Sequence, residues 1–388
     1  MLGGDRLTLR EAYCYVARQM PRSLLKYLVA VVALLVVAGL LYRFRDSITL
    51  EGFSWASLWD SIRHARLSLL ALSVVAIYGC YAVRALRWAR VSQAMGPAKF
   101  PGIYSGTIVG FTCVVLLGRV GEPIRPILIA RKEKLPVSGQ FGVYILERVM
   151  DTAATAVMAG VALLAFSHRP STGPTGDKLM AAARMTGAAL LVGLIVAVGF
   201  LVYFRLHGAR LLDARIADWK HHIGWRAKVA GIMGGFGEGL QGIRTGADLA
   251  AAIGYTTLHW VMVALVYEWI AWSLGGKLAD LTFSGVLLVM ACTMVGSAVQ
   301  LPGVGGGAQF ATFFAYTAVF GVEKEPAAAA AILTWLITFC AVSIVGLPLL
   351  FRAGWSMGDL KRLARAEAEA EEAGEHISAS ADSGAGHD

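Results

Sequence analysis

Two short charged runs, set in otherwise apolar sequence, hold the residues best equipped for chemistry. The first is Gly118-Arg119-Val120-Gly121-Glu122-Pro123-Ile124-Arg125-Pro126, and the second is Glu147-Arg148-Val149-Met150-Asp151. A guanidinium bonds phosphate oxygens through a planar fork, so Arg119 and Arg125 suit a phosphate-bearing ligand. Glu122, Glu147 and Asp151 can orient those arginines or meet a cationic part of the same ligand. On a helix Arg148 stands three residues from Asp151 and Glu147 four, so all three can face one side. The same spacing also permits a plainer role, in which Arg148 pairs with Asp151 or Glu122 and braces one segment against another. Arg119 and Arg125 can equally be positive anchors at a membrane end. The residues alone leave both readings open.

A third segment is Gln300-Leu301-Pro302-Gly303-Val304-Gly305-Gly306-Gly307-Ala308-Gln309. It lacks the GK[ST] ending of a phosphate loop, which argues against nucleotide binding. Free amides at a break in a membrane helix can line a polar cavity. They can also bind an anion, helped by the following helix N-terminus. Pro302, Gly303, Gly305, Gly306, Gly307 and Gln309 are therefore candidates for a headgroup site, with close helix packing through glycine as the alternative. His259 and Glu268 are nine residues apart, about 13 Å along a helix, too far to pair. Glu268 is a candidate for proton coupling or a side chain that snorkels to the membrane surface. The five cysteines form no CxxC pair and no His/Cys metal spacing. Neither a metal nor a cofactor is expected, and no catalytic residue is assigned.

These residues must be positioned by membrane helices. The chain is 57% hydrophobic and 16% charged, with a mean hydropathy of +0.61; a globular domain would carry about a quarter charged residues. The net charge of +9 resides at the ends of apolar segments, not in a separate basic domain, which excludes a nucleic-acid partner. Segments 24–42, 67–83, 139–166, 179–204, 249–274 and 327–350 are long enough to cross the bilayer. Runs 102–118, 285–300 and 308–320 are shorter. The run 102–118 lies between two strongly basic stretches, so a crossing there would push one of them outward, against the positive-inside bias.

The expected fold is therefore an all-α polytopic membrane protein with six full crossings and two re-entrant hairpins. Segment 102–130 enters from the cytoplasm and 285–320 from outside, and both termini are cytoplasmic. Most of the 35 lysines and arginines then lie inside. The two units of span, hairpin and span have opposite topology, as in inverted-repeat transporters. Residues 1–23 form a cytoplasmic N-terminal segment with no cleavable signal. Residues 24–350 form the membrane domain, including a cytoplasmic interfacial loop at 205–248. Residues 351–388 form a largely disordered cytoplasmic tail.

The runs RVGEPIRP, ERVMD and PGVGGG, with Arg84-Ala85-Leu86-Arg87-Trp88 before them, resemble the flippase-like transmembrane domain of lysylphosphatidylglycerol synthases over residues 25–350. The resemblance implies a bacterial inner-membrane protein related to domains that move modified phospholipids between leaflets. It directs attention to Arg119, Gly121, Glu122, Arg125, Glu147, Arg148 and Asp151. The chain departs from the family pattern at Gln309, where an acidic residue is more usual, and at Trp335, where an arginine often follows. A mechanism that needs a carboxylate in the second hairpin is accordingly in doubt. With no aminoacyl-transferase domain in this sequence, lysyl transfer by this chain alone is not expected. The expected function is a flippase for a phospholipid or lipid-linked substrate, with membrane lipids as partners, anionic or lipid-linked. The alternative is a membrane-embedded enzyme, or an accessory subunit partnered with a lipid-synthesis enzyme. The lack of a DxD-type acidic pair or a nucleotide loop favours transport over transfer chemistry.

Overall fold

The computed structural model describes residues 52–167, 181, 184–193, 195, 245–297, 300–301 and 305–352. The expected span 24–42, most of 179–204 and nearly all of the 205–248 loop lie outside them, as do the N-terminal segment and the tail. Apart from one two-residue strand pair, the described chain is helical. Among the described residues five helices are long and apolar enough to cross a membrane: Leu67–Ser92, Phe100–Leu117, Val137–Phe166, Gly246–Leu274 and Lys324–Arg352.

Helix α1 (Trp55–Arg63) starts where the Ser54 hydroxyl accepts the Ser57 amide. Helix α2 (Leu67–Ser92) follows, and it runs nine residues past the expected end at 83. Arg84, Arg87 and Arg90, of the basic stretch that precedes 102–118, therefore lie on this helix. Helix α3 (Phe100–Leu117) carries a proline in its first turn and ends at Gly118, φ +70°. A 3-10 turn over Gly118–Gly121 leads into α4 (Ile124–Glu133), which stops at Lys134 in the left-handed conformation. Helix α5 (Val137–Phe166) begins after Pro136. A Thr245–Asp248 capping box opens α6 (Gly246–Leu274), and Gly275 closes it.

The second half continues with α7 (Phe283–Gly296), then β1 (Gln300–Leu301) paired antiparallel with β2 (Gly305–Gly306), then α8 (Gly307–Phe314). A π-helical stretch, Ala315–Val319, extends α8. Helix α9 (Lys324–Trp335) passes through another π-helical stretch, Leu336–Cys340, into α10 (Val342–Arg352). A π stretch disturbs the regular carbonyl pattern, and α2 reaches the carbonyls there. The Tyr78 hydroxyl donates to Ala341 O at 2.6 Å and the Tyr81 hydroxyl to Thr338 O at 3.3 Å.

Helices α2 and α6 are antiparallel partners. Arg66 N–H bonds Ser273 O at one end, a Cβ on Gly79 would meet Met262 midway, and Arg90 bonds Asp248 at the other end. Helices α3 and α4 form an antiparallel hairpin. A Cβ on Gly102, Gly106 or Gly110 would collide with Glu133, Ile129 or Arg125 respectively. The Lys99 amide meets the Glu133 carboxylate at 2.9 Å, so both ends of the hairpin lie at one level. Helix α3 has 18 residues, about 27 Å by helix rise, so it is long enough to cross a membrane, against the expectation drawn from the shorter run 102–118; α4 returns alongside it. Helices α7 and α8 pair in the same manner, with Gly296 against Gly307 and Ala311 and with the Thr293 and Thr312 hydroxyls 2.6 Å apart.

The main apolar core joins α2, α6, α7, α8 and α9 around Tyr267, Ile270, Met290, Tyr316 and Ala330. A second core joins α2, α3, α4 and α5 around Trp88, Ile103, Ile129, Val143 and Leu146. The charged residues of interest are fixed beside this second core.

Candidate functional site

Helix spacing on α2 puts Arg84, Arg87 and Trp88 on one face, three and four residues apart. That face meets α5, which runs antiparallel to it and presents Glu147 and Asp151. Arg84 Nη2 donates to Glu147 Oε1 at 3.0 Å and also to Asp151 Oδ2. Arg87 donates to Asp151 Oδ1 at 3.0 Å and to the Thr256 hydroxyl of α6 at 2.6 Å, and lies 3.5 Å from Glu147 Oε2. Both carboxylates and Arg87 are buried. Ions this far from water persist only when paired and bonded, as these are.

The first hairpin supplies a third guanidinium. Gly110 lacks the Cβ that would otherwise sit 2.5 Å from Arg125 Cβ, so α4 can approach α3 closely enough to bury Arg125. Its Nη2 donates to Glu147 Oε1 at 2.7 Å. The cation lies 4.5 Å from the Trp88 ring centroid and 5.0 Å from that of Phe111, within cation–π range. Trp88 is itself held, because its indole N–H donates to Gln140 Oε1 at 2.6 Å.

Arg148 and Glu122 stand at the rim. The Arg148 side chain is 38% exposed and that of Glu122 25%. Arg148 Nη2 donates to Glu147 Oε1 at 3.2 Å and to Asp151 Oδ2 at 3.5 Å. Arg148 Nη1 lies 4.0 Å from Glu122 Oε2, which accepts the Tyr144 hydroxyl at 2.5 Å. Gly110, Phe111, Val114, Glu122, Arg125, Tyr144 and Arg148 line a small open cleft.

Within this group four guanidiniums (Arg84, Arg87, Arg125, Arg148) face three carboxylates (Glu122, Glu147, Asp151), leaving one positive charge in excess. Arg84 Nε, Arg125 Nη1 and Arg148 Nε are buried without a hydrogen-bond partner. An anion entering the cleft would meet Arg125 and Arg148, while Glu122 and the rings of Tyr144 and Phe111 could receive a cationic group.

Of the residues expected from sequence, Arg125, Glu147 and Asp151 come together in the buried cluster, with Glu122 and Arg148 at its edge. The expected Arg148–Asp151 pairing is present but secondary, because Arg84 and Arg87 are the closer partners of Asp151. Gly121 sits in the hairpin turn, where a Cβ would lie 2.5 Å from Cys113 O. The Arg119 side chain, Pro302 and Gly303 lie outside what the structure describes. Gly305, Gly306, Gly307 and Gln309 form the turn of the second hairpin and the start of α8. The Gly306 amide is taken by Gln309 Oε1, so in this conformation the turn caps itself. The two hairpin turns are neighbours, with Gln300–Leu301 and Gly118–Gly121 within 8 Å by Cα. His259 is buried one turn along α6 from Thr256, and Glu268 lies farther along the same helix.

Arg84, Arg87, Trp88, Gln140 and Tyr144 were not among the site residues read from sequence. In the sequence Arg84 and Arg87 stand in one of the two basic stretches that flank 102–118, and the resemblance includes them only as part of its pattern. The available signal was their three-residue spacing with Trp88 one turn on from Arg84, which places all three on one helix face without saying what that face meets.

The family described as the lysylphosphatidylglycerol synthase TM region matches residues 30–346 of the chain. Among curated proteins nothing matches.

Proposed function

The chain belongs to the family of lysylphosphatidylglycerol synthase transmembrane regions, and from that premise we propose that it moves a phosphate-bearing lipid between the leaflets of a bacterial inner membrane. The observation that carries this reading is the guanidinium-rich cleft, to which the first hairpin brings Glu122 and Arg125 and α5 brings Tyr144 and Arg148. A lipid phosphate would accept from Arg125 Nη1 and from Arg148, which would release its long contact to Glu122. The deeper ions, Arg84 and Arg87 against Glu147 and Asp151, keep the cluster compact and keep Arg125 from swinging into lipid.

In the same proposal the two hairpins are re-entrant and the units α2–α5 and α6–α10 are inverted repeats. Each unit has the order helix, hairpin, helix, and the two hairpin turns adjoin, the arrangement expected of a site at a repeat interface. Both termini are cytoplasmic in this arrangement.

The test is reconstitution in vesicles carrying acyl-labelled phosphatidylglycerol, with dithionite added outside to bleach accessible label. Vesicles with protein should lose the inner-leaflet pool far faster than protein-free vesicles, and Arg148→Gln should slow that loss about tenfold or more. Wild-type vesicles that protect the inner pool as well as empty ones, for this lipid and for other phospholipids alike, would overturn the proposal.

A further inference from the structure

We propose that α1 is an interfacial anchor, lying along the bilayer surface with Trp55 and Trp59 in the headgroup–acyl boundary. The inference needs only that the chain spans a membrane, not that it transports lipid.

Both ends of α1 are tied to the ends of membrane-crossing helices. At its start the Ser54 amide donates to Glu325 Oε1 at 3.0 Å, in the first turn of α9. Just past its end the Arg66 amide donates to Ser273 O at 2.9 Å, in the last turn of α6, and Leu67 begins α2. A nine-residue helix is about 13 Å long. Held at both ends to the termini of α9, α6 and α2, it must run across that end of the bundle and not through it.

Its faces sort accordingly. Leu58 is buried against the protein, while Trp55 and Trp59, one turn apart, are 74% and 61% exposed. Ser57, Asp60, Ser61 and His64 form the opposite, polar side, with Asp60 and His64 paired at 3.2 Å. Large exposed indoles cost solvation in water but are favoured at a membrane interface, where the ring enters the boundary and the N–H stays hydrated. Arg63 and Arg66 are also exposed, at the height where anionic headgroups would meet them. Aromatic, basic and polar stripes together fit a lipid surface better than a protein partner, whose contact would desolvate the flanking charges.

The experiment places a nitrobenzoxadiazole label on single cysteines at 57 and 59, on a cysteine-free background in lipid vesicles. Quenching by shallow-brominated lipid is then compared with quenching by aqueous iodide. The label at 59 should respond mainly to the brominated lipid and the label at 57 mainly to iodide. As a control for damage by labelling, brominated-lipid quenching of intrinsic fluorescence should fall in Trp55→Phe/Trp59→Phe relative to wild type. Iodide access at 59 equal to that at 57, shielding of 59 from both quenchers, or unchanged quenching in the double phenylalanine variant would each overturn the assignment.

Discussion

Asp151 accepts from two arginines of a neighbouring helix, and its nearest third contact, Arg148, is looser. Removing it should therefore cost more than removing Arg148. Asp151→Ala leaves Arg84 and Arg87 short of a counter-ion in a buried site, a change that typically costs about 3–5 kcal/mol. Arg148→Ala removes a rim charge and should cost less than about 1 kcal/mol. Thermal unfolding in detergent measures the difference, and equal losses would mean that the pair on α5, not the α2 contacts, carries the brace. Arg125 makes a different prediction. Lysine keeps the charge but loses the planar guanidinium that lies beside the Trp88 and Phe111 rings and its second donor. Losing a charged hydrogen bond is worth roughly 1.5–3 kcal/mol, so Arg125→Lys should lower lipid movement about tenfold or more while insertion stays normal. Activity equal to wild type would reduce Arg125 to a structural cation.

At the scale of elements, the α3–α4 hairpin depends on glycines along one side of α3. Gly110 is the one that matters to the site, because a methyl there would meet Arg125 Cβ at 2.5 Å. Gly110→Ala must push α4 outward or turn Arg125 away from Glu147. Overpacking of this kind typically costs about 1–3 kcal/mol. The variant should lose lipid movement out of proportion to its loss of thermal stability, because the Arg125–Glu147 bond lies directly in the displaced contact. Gly254, where an added Cβ would meet nothing within 4 Å, is the control, and Gly254→Ala should be silent in both measurements.

The whole molecule has two unlike ends. Arg90, Lys99, Arg131, Lys132 and Lys134 gather where α2 and α4 end and α3 begins, whereas Lys277, Asp280, Glu323, Lys324 and Glu325 mark the opposite end in mixed sign. In the proposed topology the positive-inside bias places the first end in the cytoplasm. Single cysteines replacing Lys99, Lys134 and Asp280 on a cysteine-free background report this directly. An impermeant thiol reagent added to intact cells should label only position 280. Labelling at 134 from outside would make α3 a full crossing and remove the inverted repeat.

Sequence by itself determined the solvent of this protein and most of its helices, because burial in lipid imposes long uncharged runs that no tertiary contact can hide. It also exposed Arg125, Glu147 and Asp151, since charges within such runs are costly enough to be conspicuous. It could not show that Arg84 and Arg87 belong with them. A basic residue near the end of an apolar run looks the same whether it meets water or a carboxylate on another helix. That choice was made by the antiparallel packing of α2 on α5. The hairpins divide in the same way. Their glycines and prolines were legible as breaks, but whether Gly306 offers its amide to a ligand or to Gln309 depends on how tightly the turn closes. The two hairpin turns, far apart in the chain, become neighbours only through the packed helices between them.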